Sequence, residues 1–356
     1  MRLLLLFSII FFLSCSNDKT QEEKANESPR IRKKTSVSSP SINEKYTIGE
    51  VIDFKIESKK DIDSIIFEAD DKSITKYKTS FTWNAENVNT GEYRFKITVY
   101  YEGTKESHFP RVTFFSDITP EDWTYEIKKE YPHEPTSYTQ GLFFWENTLY
   151  ESTGQNGAST LSEIDLSTGK KIKSVNIGSQ YFGEGSTYWK DKIVVLTYTS
   201  NIGFIYDKNL NQTGTFNYSH QGWGITTYGD TLIVSDGSEV LHFLDPRDLS
   251  ELGRLEVYND QGPVKSINEL EIIDDILYAN IYPTDLIVAI DPKTGKVLKN
   301  IDMKGLLSQD ELSKLDEVNE VLNGIAYNRH TRKTYVTGKH WPTLFEVAFI
   351  KKGDPL

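Results

Sequence analysis

The chain carries a single cysteine, Cys15, in 356 residues, so an internal disulfide is excluded. Its six histidines, His108, His133, His220, His242, His330 and His340, are scattered without ligand spacing. No Gly-x-Ser-x-Gly elbow, His-Glu-x-x-His helix, P-loop or dinucleotide fingerprint occurs, which removes the enzyme classes those signatures mark. Positive charge is in deficit: 40 Lys and Arg face 52 Asp and Glu, for a net charge of −12. A chain of that sign is repelled by phosphate backbones, so nucleic acid is excluded as a partner. Long apolar runs are missing as well. The one at the start, residues 3–13, is too short to cross a bilayer as a helix. Long amphipathic helical patterns are few, and Gly, Tyr and Phe are plentiful, which leaves a mainly β chain.

What is present at the start is a targeting segment. Arg2 supplies a positive end, residues 3–13 an apolar core, and Cys15 follows Leu13-Ser14. This arrangement is similar to a bacterial lipoprotein signal cut before Cys15, which then carries the lipid; the plainer alternative is an ordinary signal peptide with an incidental cysteine. Both export the mature protein; the lipoprotein reading also anchors it on a membrane facing the periplasm or on the cell surface. Residues 16–46 are rich in Ser, Asn, Lys and Glu and read as a disordered tether. Over residues 47–118 the pattern changes. Ile52, Phe54 and Ile56 alternate with polar residues, as do Tyr93, Phe95, Ile97 and Val99, with a turn at Glu102-Gly103 and Trp83 between the runs. That is the pattern of a small Ig-like β-sandwich, read as a spacer.

From residue 123 to the end, five weakly similar units recur at spacings of roughly 40–55 residues, close to the period of a four-stranded propeller blade. They open at Thr139-Gln140-Gly141-Leu142, Gly183-Glu184-Gly185-Ser186, Gly222-Trp223-Gly224-Ile225, Asn268-Glu269-Leu270-Glu271 and Asn323-Gly324-Ile325-Ala326. Equivalent second strands are expected at Leu149-Tyr150-Glu151-Ser152, Ile193-Val194-Val195-Leu196, Thr231-Leu232-Ile233-Val234 and Ile276-Leu277-Tyr278-Ala279. Asp165 to Gly169 and Asp291 to Gly295 read as turns in which Gly takes positive φ. The longest unit holds an insertion, residues 304–318, with Leu306, Leu307, Leu312 and Leu315 at helical spacing and Ser308 and Asp310 as candidate caps. The expected fold class is all-β: a five-bladed β-propeller over residues 123–356, preceded by the Ig-like β-sandwich. The competing architecture is a β-sandwich with coincidental spacing.

Such a ring gathers its unit openings at one end. Glu184, flanked by glycines and preceded by Tyr181-Phe182, admits close approach of a ligand, and a neighbouring aromatic would desolvate its carboxyl toward proton-transfer range. The same residue also reads as a turn glutamate facing solvent. Gln140 and Asn268 offer neutral amides for a carbonyl or an amine, or serve as strand-end caps. Lys339, after Thr337-Gly338, is either a fixed cation for an oxyanion or a surface lysine. Trp223 between two glycines suits a pocket wall better than a core.

The wording of these motifs resembles the plant-type glutaminyl-peptide cyclotransferase family, also found in bacteria. The likeness spans residues 131–347. It includes Tyr131-Pro132-His133, Tyr138-Thr139-Gln140-Gly141-Leu142, Tyr150-Glu151-Ser152-Thr153-Gly154, Phe182-Gly183-Glu184-Gly185, Gly222-Trp223-Gly224, Asp236-Gly237-Ser238, Ile267-Asn268-Glu269-Leu270-Glu271, Asn323-Gly324-Ile325-Ala326, and Val336-Thr337-Gly338-Lys339 with Trp341-Pro342. The resemblance implies a five-bladed propeller that converts the N-terminal glutamine of peptides to pyroglutamate and releases ammonia, with no cofactor and no catalytic zinc. It implies Glu184 as acid/base, Gln140, Asn268 and Lys339 as polar site residues, and Tyr138, Phe182 and Trp223 as aromatic walls. Tyr198 and Tyr282 stand where the family usually has Trp, which bears on affinity more than on the reaction. Two other classes compete: a non-catalytic propeller binding peptides or glycans, and a calcium-dependent hydrolase built on Glu184, Asn268 and Asn323. A monomer is the expected state.

Overall fold

The computed structural model describes residues 32–353 apart from 70, 71, 77 and 317. The signal segment, Cys15 and the first half of the tether lie outside the described residues. The architecture is all-β and multi-sheet, of the propeller or sandwich type, with one short helix among the described residues.

Three N-terminal sheets share a core. Thr35–Ser39, Val51–Ser58 and Ser80–Asn84 form one; Glu44–Thr47, Arg111–Phe115 and Gly91–Arg94 a second; Lys72–Lys76, Ser64–Ala69, Lys96–Tyr101 and Thr104–His108 a third. In Val51–Ser58 the inward residues are Ile52, Phe54 and Ile56, with exposed side chains between them, the period-two pattern of a strand with one wet face. Phe54, Phe67, Phe95 and Phe114 meet in the core. Glu102 and Gly103 both take positive φ, 45° and 70°, and close the expected hairpin turn. The run from Tyr93 to Val99 is not one strand: it leaves the second sheet at Arg94 and enters the third at Lys96. The tether also ends earlier than its composition suggests. Thr35–Ser39 and Glu44–Thr47 are strands within residues 16–46. They pair along edges that demand little apolar content, and Glu106 anchors the first of them by accepting from Thr35 N (2.9 Å) and Thr35 Oγ1 (2.6 Å).

The remainder contains five groups of four antiparallel strands. Three are separate sheets, over residues 139–176, 183–217 and 225–256. Two are halves of an eight-stranded sheet: residues 267–302, and residues 322–351 completed by the N-terminal strand Glu121–Pro132. Strand pairing joins the halves where residues 121–123 run parallel to 299–301. The first strands of the five groups, Thr139–Trp145, Gly183–Trp189, Ile225–Tyr228, Ile267–Ile273 and Leu322–Asn328, each touch the next, and the fifth touches the first. Strands with neighbours on both faces must be buried at almost every position, and Thr139–Trp145, Ile267–Ile273 and Leu322–Asn328 are buried throughout. The four anticipated second strands fall within Thr148–Thr153, Lys192–Thr197, Thr231–Ser235 and Ile276–Ile281. The insertion forms a single helical turn, Gln309–Leu312, with Ser308 as N-cap and Glu311 completing a capping box. Asp310 lies in its first turn instead of capping it.

Close backbone approach sets the radius of this cycle. A Cβ on Gly141 would lie 2.4 Å from Ser186 N, one on Gly185 2.6 Å from Trp223 O, and one on Gly224 2.1 Å from Asn268 O. Each opening glycine therefore admits the backbone of the next group. Across the middle, Glu269 accepts from Ile325 N (2.8 Å) and Leu142 N (3.3 Å), tying the fourth group to the fifth and the first. The N-terminal sheets dock on the third and fourth groups: Thr90 Oγ1 donates to Glu256 O (2.5 Å) or Thr294 O (3.0 Å), and Lys296 pairs with Asp117 at 2.6 Å.

Gly224→Ala is expected to lower stability by about 2 kcal/mol or more, because the clash is with backbone that cannot rotate away. Gly253→Ala, on an exposed strand with no atom within 4 Å of the added methyl, is the control and should change stability by less than about 0.5 kcal/mol. Denaturant melts of both variants check this; equal stability of the two would refute the packing argument.

Candidate active site

The openings do converge. Tyr138, Gln140, Phe182, Glu184, Tyr198, Trp223, Asn268, Tyr282 and Lys339 all line one cavity of about 470 Å³. Tyr138, Phe182 and Trp223 precede or begin first strands, and Tyr198 and Tyr282 directly follow second strands. Their rings form a belt. Neighbouring centroids are 6.2 Å apart for Tyr138–Phe182, 6.0 Å for Phe182–Tyr198, 6.2 Å for Tyr198–Trp223 and 5.8 Å for Trp223–Tyr282. Lys339 closes it, its Nζ 5.0 Å from the Tyr138 ring centre and 4.8 Å from that of Tyr282. An ammonium between two phenol faces keeps its charge partly compensated without a carboxylate partner. Gly237 makes room for the belt: a Cβ there would meet the Trp223 ring at 2.4 Å.

Two ionisable groups face this cavity from inside the protein. Glu184 is 6 % exposed and Lys339 4 %. Burial drives the Glu184 carboxyl well above the ordinary carboxylate range, and the Lys339 charge pulls it back only in part. Burial likewise lowers the Lys339 ammonium, against the opposing pull of Glu184. No ion pair closes between them, so each keeps free valence toward a ligand. Gln140 fixes which oxygen of Glu184 is available. Asn323 Nδ2 donates to Gln140 Oε1 (3.1 Å), which orients the amide so that its Nε2 donates to Glu184 Oε1 (3.3 Å). Oε1 is thereby an acceptor, and Oε2 is the oxygen left to exchange a proton with a ligand. Ser152 Oγ pins the Glu184 backbone carbonyl at 2.6 Å. Asn268 lines the cavity with its Oδ1 buried and unpartnered.

Several residues went unnoticed in the sequence. Asn156, Gln180, Thr199 and Ser200 complete the cavity lining with neutral polar groups. They sit in loops, where no periodicity marks them. Beneath the cavity lies a buried pair, His133 and Glu151. His133 Nδ1 faces Trp341 O at 2.7 Å, and its Nε2 faces Glu151 Oε1 at 3.0 Å. Both partners are acceptors, so both nitrogens carry hydrogen and the ring is a cation. Glu151 also accepts from Ser137 Oγ (2.9 Å) and Thr139 Oγ1 (2.6 Å). One ion pair thus joins the strand end before Tyr138 and Gln140 to the turn after Lys339. The segment after the insertion straps the same place: Tyr138 Oη donates to Asn319 O (3.1 Å), Trp341 Nε1 to Glu320 O (3.0 Å) and Lys339 N to Val321 O (2.9 Å). Among the described residues, three metal-capable side chains cluster at His220, His242 and Glu251, which do not line the cavity.

A family model described as glutamine cyclotransferase matches residues 100–349. A glutaminyl-peptide cyclotransferase of Arabidopsis thaliana is 36 % identical over 236 residues, covering 64 % of this chain and 73 % of the relative. The crystal structure of glutaminyl cyclase from Myxococcus xanthus superposes with a TM-score of 0.62 at 33 % identity, covering 65 % of this chain and 99 % of that one.

The His133–Glu151 pair predicts a pH signature. Burial alone would lower His133, but the Glu151 charge and its hydrogen bonds prevail and raise it. Burial alone would raise Glu151, but the His133 charge and the hydroxyl donors prevail and lower it. Its contribution is then fully present between the ordinary carboxylate and imidazole ranges, roughly pH 4.5–6.5. It is lost as pH falls through the lowered Glu151 value or rises through the raised His133 value. Breaking the pair with Glu151→Gln is expected to cost about 3–5 kcal/mol, with the largest loss inside that window. Thermal midpoints of both proteins across pH 4–9 test this; a difference independent of pH would rule out the charged pair.

Proposed function

The chain belongs to the glutamine cyclotransferase family, and we propose that its cavity closes the N-terminal glutamine of peptides or proteins into pyroglutamate with release of ammonia. One observation carries the assignment of residues: a buried carboxyl and a buried ammonium line the same aromatic-walled cavity without pairing to each other. A binding module gains nothing from burying two charges at a cost of several kcal/mol each. An acid/base site requires them.

In the reaction, the α-amine of the substrate attacks its own side-chain carboxamide. A C–N bond to the α-nitrogen forms, the C–N bond to the amide nitrogen breaks, and that nitrogen leaves as ammonia. Both reacting groups belong to one residue, so orientation supplies much of the acceleration, with effective molarities of order 10⁵ M or more for well-aligned intramolecular attack. We assign Glu184 to take a proton from the amine during attack and to deliver one to the departing nitrogen. A single carboxyl does both because burial brings its pKa toward that of the groups it serves. Lys339, held between Tyr138 and Tyr282, is assigned to the oxyanion of the tetrahedral intermediate, with the amide of Asn268 as a second donor; each good donor is worth ~2.7–4 kcal/mol. Gln140 keeps Oε2 of Glu184 turned to the substrate. Phe182, Tyr198 and Trp223 grip the methylenes, and the neutral rim lets the rest of the peptide extend outward. The scheme uses only this chain's own residues.

We read the five groups as the blades of a closed five-bladed propeller over residues 123–356, with Glu121–Pro132 completing the fifth. The N-terminal sheets are read as an Ig-like sandwich, a spacer that begins near Thr35. The apolar start and Cys15 support export and a lipid anchor, holding the enzyme on a membrane facing the periplasm or the cell surface. The expected solution state is a monomer.

Glu184→Gln is expected to cut ammonia release from a Gln-initiated peptide by about 10²–10⁴-fold while the melting curve stays that of a folded protein. Near wild-type turnover would take Glu184 out of the reaction. Tyr198→Trp changes a wall and not the chemistry, so KM should move more than kcat; a large fall in kcat at constant KM would contradict its place in the wall.

A further inference from the structure

We propose that His220, His242 and Glu251 form a site for a divalent transition metal of the zinc class, separate from the catalytic cavity. One ligand atom from each lies within 4.8 Å of the other two. The hydrogen-bond pattern fixes which atoms these are. His220 Nδ1 faces Gln221 O at 2.7 Å, so it carries the hydrogen and Nε2 carries the lone pair. His242 Nε2 faces Asp236 Oδ2 at 3.1 Å, so it carries a hydrogen and leaves Nδ1 as the nitrogen available to a metal. Both remaining nitrogens are buried without a hydrogen-bond partner, and His242 is 2 % exposed. His242 Nδ1 lies 3.4 Å from Glu251 Oε2. Two imidazole nitrogens without hydrogen-bond partners and a carboxylate thus lie side by side, and such a cluster can take a cation.

The surroundings match what metal-bound histidines require. A ligating imidazole gives its other N–H to a carboxylate or a backbone carbonyl, which sets the tautomer and raises its basicity. Asp236 does this for His242 and the Gln221 carbonyl does it for His220. Two nitrogens and one carboxylate suit zinc-class ions, whereas calcium and magnesium want all-oxygen shells. Ligand atoms on a tetrahedral zinc sit ~3.4 Å apart, the separation already present between His242 and Glu251. His220 and Glu251 also line a surface cavity of about 420 Å³, which leaves room for a water as fourth ligand. The two rings are stacked, with centroids 3.7 Å apart and planes 15° from parallel. A metal bonded in the plane of both requires the stack to open, and His220, beside that cavity, is the ring with space to turn. Arg254 now bonds Glu251 from its other side and balances part of its charge.

The site ties the loop before the third group to that group's outer strands, Val240–Leu244 and Glu251–Glu256. The next residue, Gln221, accepts from Trp223 Nε1 at 2.9 Å. Metal at His220 would therefore stiffen the loop that carries one wall of the catalytic cavity.

The test uses the full chain, stripped with chelator, and Zn²⁺ alone as the probe. Titration calorimetry should give one Zn²⁺ per chain with a Kd on the order of micromolar or tighter. Saturating Zn²⁺ should raise the thermal midpoint by about 5 °C or more. His220→Ala, whose side chain is partly exposed, and Glu251→Gln should each weaken binding at least tenfold and abolish the shift. Their metal-free midpoints should match that of the metal-free wild type, which separates a lost ligand from a lost fold; His220→Gln replaces His220→Ala if that variant melts early. No saturable binding at 100 µM Zn²⁺, or binding that survives both substitutions, would overturn the proposal and leave a proton as the occupant of this cluster.

Discussion

Backbone touches backbone where the first strands of neighbouring groups meet, and everything at the site follows from that. Gly141, Gly185 and Gly224 each leave no room for a Cβ beside the next group. At these three junctions main-chain atoms, not side chains, set the separation of the first strands. Side chains at the strand starts then have one place to go, the mouth above the centre. Glu184, Lys339, the amides of Gln140 and Asn268 and five aromatic rings arrive there from segments spread along the chain. The same closeness shields a charge below the mouth from solvent, and Glu269 is buried there. It spends both oxygens on the backbone of two other groups, and burial, with Glu271 nearby, pushes its carboxyl well above the ordinary range.

The electrostatics of the site come from withholding a partner. His133 and Glu151 meet burial by pairing with each other. At the mouth the two charges do not: Glu184 receives one amide hydrogen from Gln140, and Lys339 receives two phenol faces. Burial then moves both pKa values toward each other, the carboxyl upward and the ammonium downward. Such a shift narrows the gap between the carboxyl and the ammonium, which is what proton exchange at a site asks for. The paired ions beneath supply the rigidity that the unpaired ones lack, because His133 and Glu151 hold the two chain segments on which Gln140 and Lys339 sit.

How much of this was legible in the sequence follows from what each feature needs. Gly-Glu-Gly, Gly-Trp-Gly and Asn-Gly are punctuation, and a close approach of backbones allows little else, so the openings could be found; of the thirteen residues lining the cavity nine were named, Tyr138, Phe182, Tyr198 and Tyr282 as walls only through the family resemblance, and the four in loops were not. The second strands could be found because their apolar runs are bounded by turns. His133 and Glu151 could not. Their meaning lies in contacts between distant segments, such as His133 with Trp341 O, and nothing local marks either residue as buried. Thr35–Ser39 was hidden for a different reason. An edge strand anchored by one carboxylate needs almost no apolar residues, so its composition matches that of a tether. Asp310 was a plausible cap by residue type, but only one residue can sit at the N-cap, and Ser308 has the side chain and the Glu311 partner to hold it.

Tyr198 and Tyr282 differ in what their hydroxyls do. Tyr282 stacks beside Lys339, and its hydroxyl lies 3.4 Å from Val318 O, in the segment that also receives Tyr138, Trp341 and the Lys339 amide. A tryptophan there has no oxygen to place at that point. The substitution therefore exchanges indole surface for a tie between the belt and the strap that fixes Lys339. Tyr198 has no such tie and stands 36 % exposed at the rim. Its hydroxyl is free for solvent or for the peptide that follows the first residue. One change thus acts on the position of the cation and the other on the entrance, so the two tyrosines bear on different parts of the same cavity.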